Sequence, residues 1–320
     1  MKLLVTGGAG YIGSVVAAQL VEAGHEVTVL DDLSTGHADA VPPGARFVQG
    51  DLRAEAAAVL ASGVDAVLHF AAKSLVGESV ANPGLYWSHN LGGTLALLEA
   101  MRSAGVETIV FSSTAAVYGE PETVPVEEIA QPLPTSPYGA SKLAADTALA
   151  EYARLHGFAA ISLRYFNVAG AFRDAGGRWF GERHSMETHL IPSILRIARD
   201  QTGPVNIYGD DYPTADGSCV RDYIHVGDLA AAHLLALRAC RPAEHKIYNL
   251  GCGSGYSNFE VVGACREVTG LDIPVKIAAR RAGDPAVLVA SSERISRDLG
   301  WRPEHGLRDV VADAWACGYR

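Results

Sequence analysis

The sequence predicts an α/β protein, a doubly wound parallel sheet accompanied by a second, smaller α/β domain. Up to about Arg164, short apolar runs of strand length alternate with longer helical stretches, the pattern of a parallel sheet with helices on both faces. After Gly170 the alternation loosens into a segment rich in Gly, Arg and Asp and resumes with shorter elements and many turn signals, as expected of a separate unit.

Residues 2–6 (KLLVT) read as a buried strand. They run into Gly7-Gly8-Ala9-Gly10-Tyr11-Ile12-Gly13, a glycine-rich turn that opens an amphipathic helix over 11–23, and a second strand over 26–30 ends in Asp31-Asp32. Further strands are expected at 46–49, 66–70, 108–112 and 160–163, with helices at 91–104 and 141–155 among them. A helix over 190–199 follows. Strands at 224–226 and 247–250 flank a helix over 228–238, and this portion is expected to return to the first domain. The chain then divides into 1–170 joined by 222–250, and a second domain of 171–221 and 251–320. Ligands of such sheets bind at the carboxyl ends of the strands. Asp31, Asp51, Ala71, Thr114 and Asn167 fall at or just beyond those ends, so one crevice is expected to gather them.

The chain has 320 residues, 48% of them hydrophobic, enough for a large core and one or two domains. A formal net charge of -10 without Lys or Arg runs argues against a nucleic-acid binder. The absence of a signal-like start or a membrane-length apolar stretch leads us to expect a cytoplasmic protein. Five cysteines without C-x-x-C spacing indicate neither a disulfide framework nor a zinc site, and no metal is expected.

Gly8, Gly10 and Gly13 satisfy G-x-G-x-x-G, and Gly7, Gly10 and Gly13 satisfy the related G-x-x-G-x-x-G. Missing side chains permit a tight turn, and the N–H groups and dipole at the helix start favour a pyrophosphate. The order strand, turn, helix, strand, acid is that of a Rossmann dinucleotide site. An acid at the second strand end accepts from a ribose hydroxyl and would repel a 2′-phosphate, which selects NAD over NADP.

Tyr138 and Lys142, four residues apart, share one helical face. A phenol with a pKa of about 10 is a poor base at neutral pH unless a cation favours the phenolate, and the lysine is expected to supply that charge. Strand 108–112 ends in Ser113-Thr114, whose hydroxyls complete a triad with Tyr138 and Lys142.

This arrangement resembles the extended short-chain dehydrogenase/reductase superfamily and, within it, the UDP-glucose 4-epimerase (UDP-galactose 4-epimerase) family. The resemblance covers essentially the whole chain. It rests on TGGAGYIG (residues 6–13), HFAA (69–72), VGES (76–79), SPYGASK (136–142), RYFN (164–167), YGDDYPT (208–214), Asp216-Gly217, VRDYIHV (220–226), YNLG (248–251) and RRAGD (280–284). It implies interconversion of UDP-glucose and UDP-galactose through a 4-ketose. Tyr138 would take the 4-hydroxyl proton, Thr114 would hydrogen-bond that oxygen, and NAD would take the hydride. Lys142 would hold the nicotinamide ribose and depress the Tyr138 pKa. Asn167, Arg221 and Arg281 would meet the diphosphate, with Asp284 near the uridine ribose.

The residues assigned to the cofactor are Gly7, Gly10, Tyr11, Ile12, Gly13, Asp31, Asp32, Ser34, Gly36, Asp51, Leu52, Phe70, Ala71, Ala72, Lys73, Asn90, Ser112, Tyr138, Lys142 and Tyr165. Those assigned to the substrate are Thr114, Tyr138, Asn167, His189, Leu190, Tyr208, Arg221, Arg281, Asp284 and Leu288. Some readings have structural alternatives. Arg221 and Asp222 could form a local ion pair, and His189 could cap a helix instead of meeting phosphate. Leu288, seven positions after Arg281, would gate the sugar 2-substituent or else sit in a buried strand. The implied preference is for UDP-glucose and UDP-galactose over N-acetylated sugars. Homodimerisation through the helices near 91–104 and 141–155 is also implied.

Three rivals share the fold. A nucleotide-sugar 4,6-dehydratase resembles its relatives in placing Asp-Glu after the triad Thr, where this chain has Ala115-Ala116; a methyl group transfers no proton. The motifs of the second half weigh against a UDP-glucuronate epimerase or decarboxylase. An NAD-sensing regulator would have no need of a poised phenol.

Overall fold

The first half of the chain folds as successive βα units. The computed structural model describes residues 1–184, 187–281 and 284–318. Strands β1 (Lys2–Thr6), β2 (Glu26–Asp31), β3 (Arg46–Gln49), β4 (Ala66–His69), β5 (Thr108–Thr114) and β6 (Ala159–Tyr165) alternate with helices α1 (Tyr11–Glu22), α2 (Leu52–Leu60), α3 (Val76–Ala81), α4 (Pro83–Tyr86), α5 (Gly93–Ala104) and α6 (Pro137–His156). The second half adds β7 (Asn167–Ala169), β8 (Ala171–Arg173), β9 (Trp179–Gly181), β10 (Val205–Tyr208), β11 (Val220–His225), β12 (Glu244–Leu250), β13 (Gly255–Ser257), β14 (Val275–Ala278) and β15 (Val287–Leu288). Its helices are α7 (Leu190–Asp200), α8 (Val226–Ala239), α9 (Asn258–Thr269), α10 (Glu293–Leu299) and α11 (Leu307–Gly318).

A seven-stranded sheet runs β3-β2-β1-β4-β5-β6-β12, with every neighbouring pair parallel. The order reverses between β1 and β4, which opens a crevice beyond their carboxyl ends. The KLLVT run is apolar throughout because both faces of β1 are covered. Leu3 and Val5 enter the core beneath α1 and α8, and Leu4 enters the core formed with α2, α5 and α6. Each such fully buried side chain contributes roughly 1.5–3 kcal/mol.

A smaller unit packs around its own core, in which Ile191, Ile194 and Leu195 of α7 meet Val205 and Ile207 of β10, Val261 and Val262 of α9, and Val310 and Val311 of α11. Its sheets are small: β10 pairs with β14, β8 with β9, and β11 sits among β7, β13 and β15.

Three local expectations are revised. Helix α6 starts at Pro137, ahead of the expected 141, because the Ser136 hydroxyl caps it by accepting from Gly139 N at 3.2 Å and Pro137 takes the first helical position. Both Tyr138 and Lys142 therefore lie in its opening turns. The helix expected from 91 begins as a π-helical stretch, Trp87–Gly92, before α5. The strand expected at 224–226 is β11, which pairs with β7 through Tyr223, Ile224 and His225 and does not enter the large sheet. Among residues 222–250, α8 packs against that sheet and β12 joins it.

Candidate active site

The crevice at the sheet's reversal point is a cavity of about 980 Å³ between the two units, at the upper end of the range for ligand pockets. The glycine turn forms one wall. Gly7 adopts φ +70°, and a Cβ there would fall 2.5 Å from Ala71 N, so only glycine lets the turn pack on the end of β4. A Cβ on Gly13 would strike Gly7 O at 2.3 Å. At Gly10, which lines the cavity, it would meet only that carbonyl, at 3.4 Å, so the space belongs to the ligand. Gly10 caps α1 without a side-chain hydrogen bond, which leaves the first-turn N–H groups for an anion. This cradle fits the pyrophosphate of a dinucleotide.

Asp31, Asp32, Ser34, Asp51, Leu52 and Lys73 line the same end of the cavity. Asp31 also holds the turn itself, accepting from Ala9 N at 3.0 Å and Leu33 N at 2.8 Å. Burial raises its pKa, whereas hydrogen bonding to Ser34 and nearby positive charge outweigh burial at Asp32 and lower it. Two assigned residues do not reach the wall. Gly36 stands behind the turn, where a Cβ would lie 2.9 Å from Ala9 C. Asn90 is buried, accepting from Lys73 N at 2.8 Å and donating to Lys73 O at 3.0 Å and Ser141 Oγ at 3.1 Å. Both shape the cavity from behind.

Thr114, Tyr138, Lys142, Ser112, Phe70, Ala71, Ala72 and Tyr165 line the centre. Burial raises the Tyr138 pKa, and a hydrogen bond with Thr114 opposes it. The expected lowering by Lys142 is not found: the ammonium donates to Ser112 O at 2.8 Å and lies 4.7 Å from the Phe111 ring centre. Burial lowers the Lys142 pKa to about 8, and Asp146 partly opposes that. Desolvation thus dominates both groups, each stabilised in its neutral form.

On the smaller unit's side, Asn167, His189, Leu190, Tyr208, Arg221, Arg281, Asp284 and Leu288 all face the cavity. The local Arg221–Asp222 ion pair is absent. Arg221 Nη2 meets Asp284 Oδ1 at 2.6 Å, and Asp222 is buried, accepting from Cys252 N, Gly253 N and Ala290 N. Arg281 stacks on the Tyr208 ring at 4.0 Å. His189 occupies the N-cap of α7 without a side-chain cap bond, its Nδ1 taken by Glu182 Oε1. Leu288 lines the cavity as a half-buried strand residue that packs on the cluster of Val117, Tyr118 and Phe166.

A family profile described as the NAD dependent epimerase/dehydratase family matches residues 3–251. The chain belongs to that family. The UDP-glucose 4-epimerase of Corynebacterium glutamicum is 55% identical over 99% of this chain and 95% of its own. Among epimerase structures, the UDP-glucose 4-epimerase from Brucella ovis in complex with NAD superposes with a TM-score of 0.93 at 41% identity, covering 100% of this chain and 99% of that one. The enzyme from Bifidobacterium longum in complex with NAD+ and UDP gives 0.92 at 36% identity, covering 99% and 98%.

In this member of the epimerase/dehydratase family, several supports for the site carry no sequence pattern. Thr94 Oγ1 donates to Asn90 O at 2.6 Å, so it accepts from His69 Nε2 at 3.0 Å; His69 Nδ1 then accepts from Thr6 at 2.6 Å, tying β1 to β4. Burial and the Lys142 charge lower the His69 pKa to about 3 and keep it neutral. Behind Thr114, Asp146 Oδ2 receives Ser113 Oγ at 3.0 Å and Arg164 Nη2 at 3.0 Å. The only signals available in sequence were isolated polar residues within apolar runs.

Proposed function

We infer that this chain is a UDP-glucose 4-epimerase, interconverting UDP-glucose and UDP-galactose through a 4-ketose with NAD as its cofactor. The observation that carries this reading is the convergence of Thr114, Tyr138 and Lys142 on one cavity with the glycine cradle and the arginines of the smaller unit. NAD, when bound, supplies a hydride acceptor and donor at sugar carbon 4. Gly7, Gly10 and the first turn of α1 would hold its pyrophosphate, and Asp31 and Asp32 its adenosine ribose, where their negative charge disfavours NADP.

Tyr138 exchanges the proton of the sugar 4-hydroxyl, with Thr114 hydrogen-bonding the same oxygen. Burial raises the Tyr138 pKa, so its work as a base requires added positive charge close to it, which the nicotinamide of bound NAD would bring beside the Lys142 ammonium. Arg221 and Arg281 bind the diphosphate through planar donor forks, while the sugar is held loosely enough to present either face. Ala115 and Ala116 carry no proton-transfer group, which disfavours dehydration. Trp87, in the π-helical stretch before α5, and Leu95 of α5 are exposed, and their position supports a homodimer through α5 and α6. A cytoplasmic place in galactose metabolism completes the reading.

The test is incubation of the purified protein, without added cofactor, with UDP-glucose or UDP-galactose and NMR detection of the 4-epimer. Formation of the same mixture from either sugar is expected, with NAD in the denatured supernatant. A folded protein that carries NAD and yields no epimer from either sugar would overturn the reading.

A further inference from the structure

Between the end of β9 and the start of α7, residues 182–184 and 187–189 form part of the cavity wall. Glu182, His184, Glu187 and His189 converge there, their ligand atoms all within 4.8 Å of one another. Glu182 Oε1 lies 3.0 Å from His184 Nδ1, Glu187 Oε2 lies 3.8 Å from the same nitrogen, and Glu187 Oε1 lies 3.5 Å from His189 Nδ1. The Glu182–His189 pair is closer still. A tetrahedral ion with bonds of about 2.0–2.2 Å places its ligand atoms about 3.3–3.6 Å apart, and these separations bracket that value.

The two glutamate side chains are only 5% and 7% exposed. Among the described residues, Glu182 Oε2 is buried without a hydrogen bond. Two buried carboxylates require compensating positive charge. The two imidazoles provide it when protonated, and a divalent ion would provide the same two charges while taking both Nδ1 lone pairs as ligands. We propose that Glu182, His184, Glu187 and His189 bind one zinc-class divalent ion, which ties the end of β9 to the start of α7 at the cavity wall. Mixed imidazole and carboxylate donors suit zinc, whereas magnesium and calcium favour oxygen alone. Four protein ligands close the coordination shell, so the ion holds structure and takes no part in the chemistry. The site stands independently of the epimerase reading.

The experiment strips the whole protein with a chelator, dialyses it against micromolar Zn²⁺ and measures bound metal; Co²⁺ is loaded in parallel and its visible spectrum recorded. About one equivalent of zinc per chain is expected, with the intense visible bands of tetrahedral Co²⁺ and a melting temperature raised by zinc. Glu187→Gln and His184→Ala should each retain less than a tenth of an equivalent and lose the thermal shift. Wild-type protein holding no more zinc than these variants, or a weak octahedral Co²⁺ spectrum, would overturn the proposal. The spectrum of the wild-type protein decides even where a variant fails to fold, and because metal content is read apart from turnover, loss of epimerisation would not bear on it.

Discussion

Arg221 and Asp284, sixty-three positions apart, close a 2.6 Å ion pair on the cavity wall, with side-chain exposures of 11% and 32%. The two residues assigned to the diphosphate and the uridine ribose therefore hold one another on the wall they share. Asp284→Ala should weaken UDP binding on the order of tenfold, through loss of one charge-assisted hydrogen bond and of the constraint on the guanidinium. Calorimetric titration with UDP checks this, and NAD affinity should be unchanged.

Tyr138→Phe removes the proton acceptor and keeps the ring that packs edge-on against Tyr86 at 6.2 Å. A fall in kcat of roughly a hundred to ten thousandfold is expected. The fraction of protein purified with NAD should match wild type, and retention of more than a tenth of wild-type turnover would count against Tyr138 as the base.

Lys142 has a folded pKa lowered by burial from 10.5 to about 8. The unfolded chain binds this proton more tightly, so the stability cost is complete below about pH 8 and is relieved as pH rises from about 8 to 10.5. Lys142→Met should abolish turnover yet stabilise the cofactor-free protein at pH 7 by about 1–2 kcal/mol, the removed desolvation cost less one lost hydrogen bond. Denaturant titrations of both proteins at pH 7 and pH 10 should show that advantage shrinking.

Arg164 and Asp146 form a buried pair at 3.0 Å, each side chain 3% exposed. Arg164→Met leaves the carboxylate buried with Ser113 as its remaining partner, and a loss of about 3–5 kcal/mol is expected. Chemical unfolding measures it. Asp146→Asn, which keeps the shape and removes the charge, should also destabilise.

Leu288→Ala widens the cavity at the base of β15. The ratio of kcat/KM for UDP-N-acetylglucosamine to that for UDP-glucose should rise, because a steric restriction is eased while nucleotide contacts persist. Packing against Phe166 is also lost, so a drop in melting temperature should accompany the change. An unaltered ratio in folded, active protein removes Leu288 from the specificity wall.

The sequence by itself determined the βα order, β1 to its exact residues, the glycine turn, and the placement of Tyr138 and Lys142 on one helix. Those features depend on spacing and on the conformational limits of a few residue types, and such information is local. Only the tertiary structure decided that β11 leaves the large sheet for β7, since a strand's partner is set by what lies beside it in space. It alone set Gly36 and Asn90 behind the cavity wall and brought Arg221 to Asp284 in place of adjacent Asp222. The direction of the Tyr138 shift was likewise hidden: spacing offers a nearby charge, while burial, which opposes the phenolate, exists only once the chain is packed. The Glu182, His184, Glu187 and His189 cluster escaped a reading that looked for metal ligands among cysteines. Four polar residues between β9 and α7 converge only when those two elements are fixed in place, because direction in space, unlike periodicity, is not written along the chain.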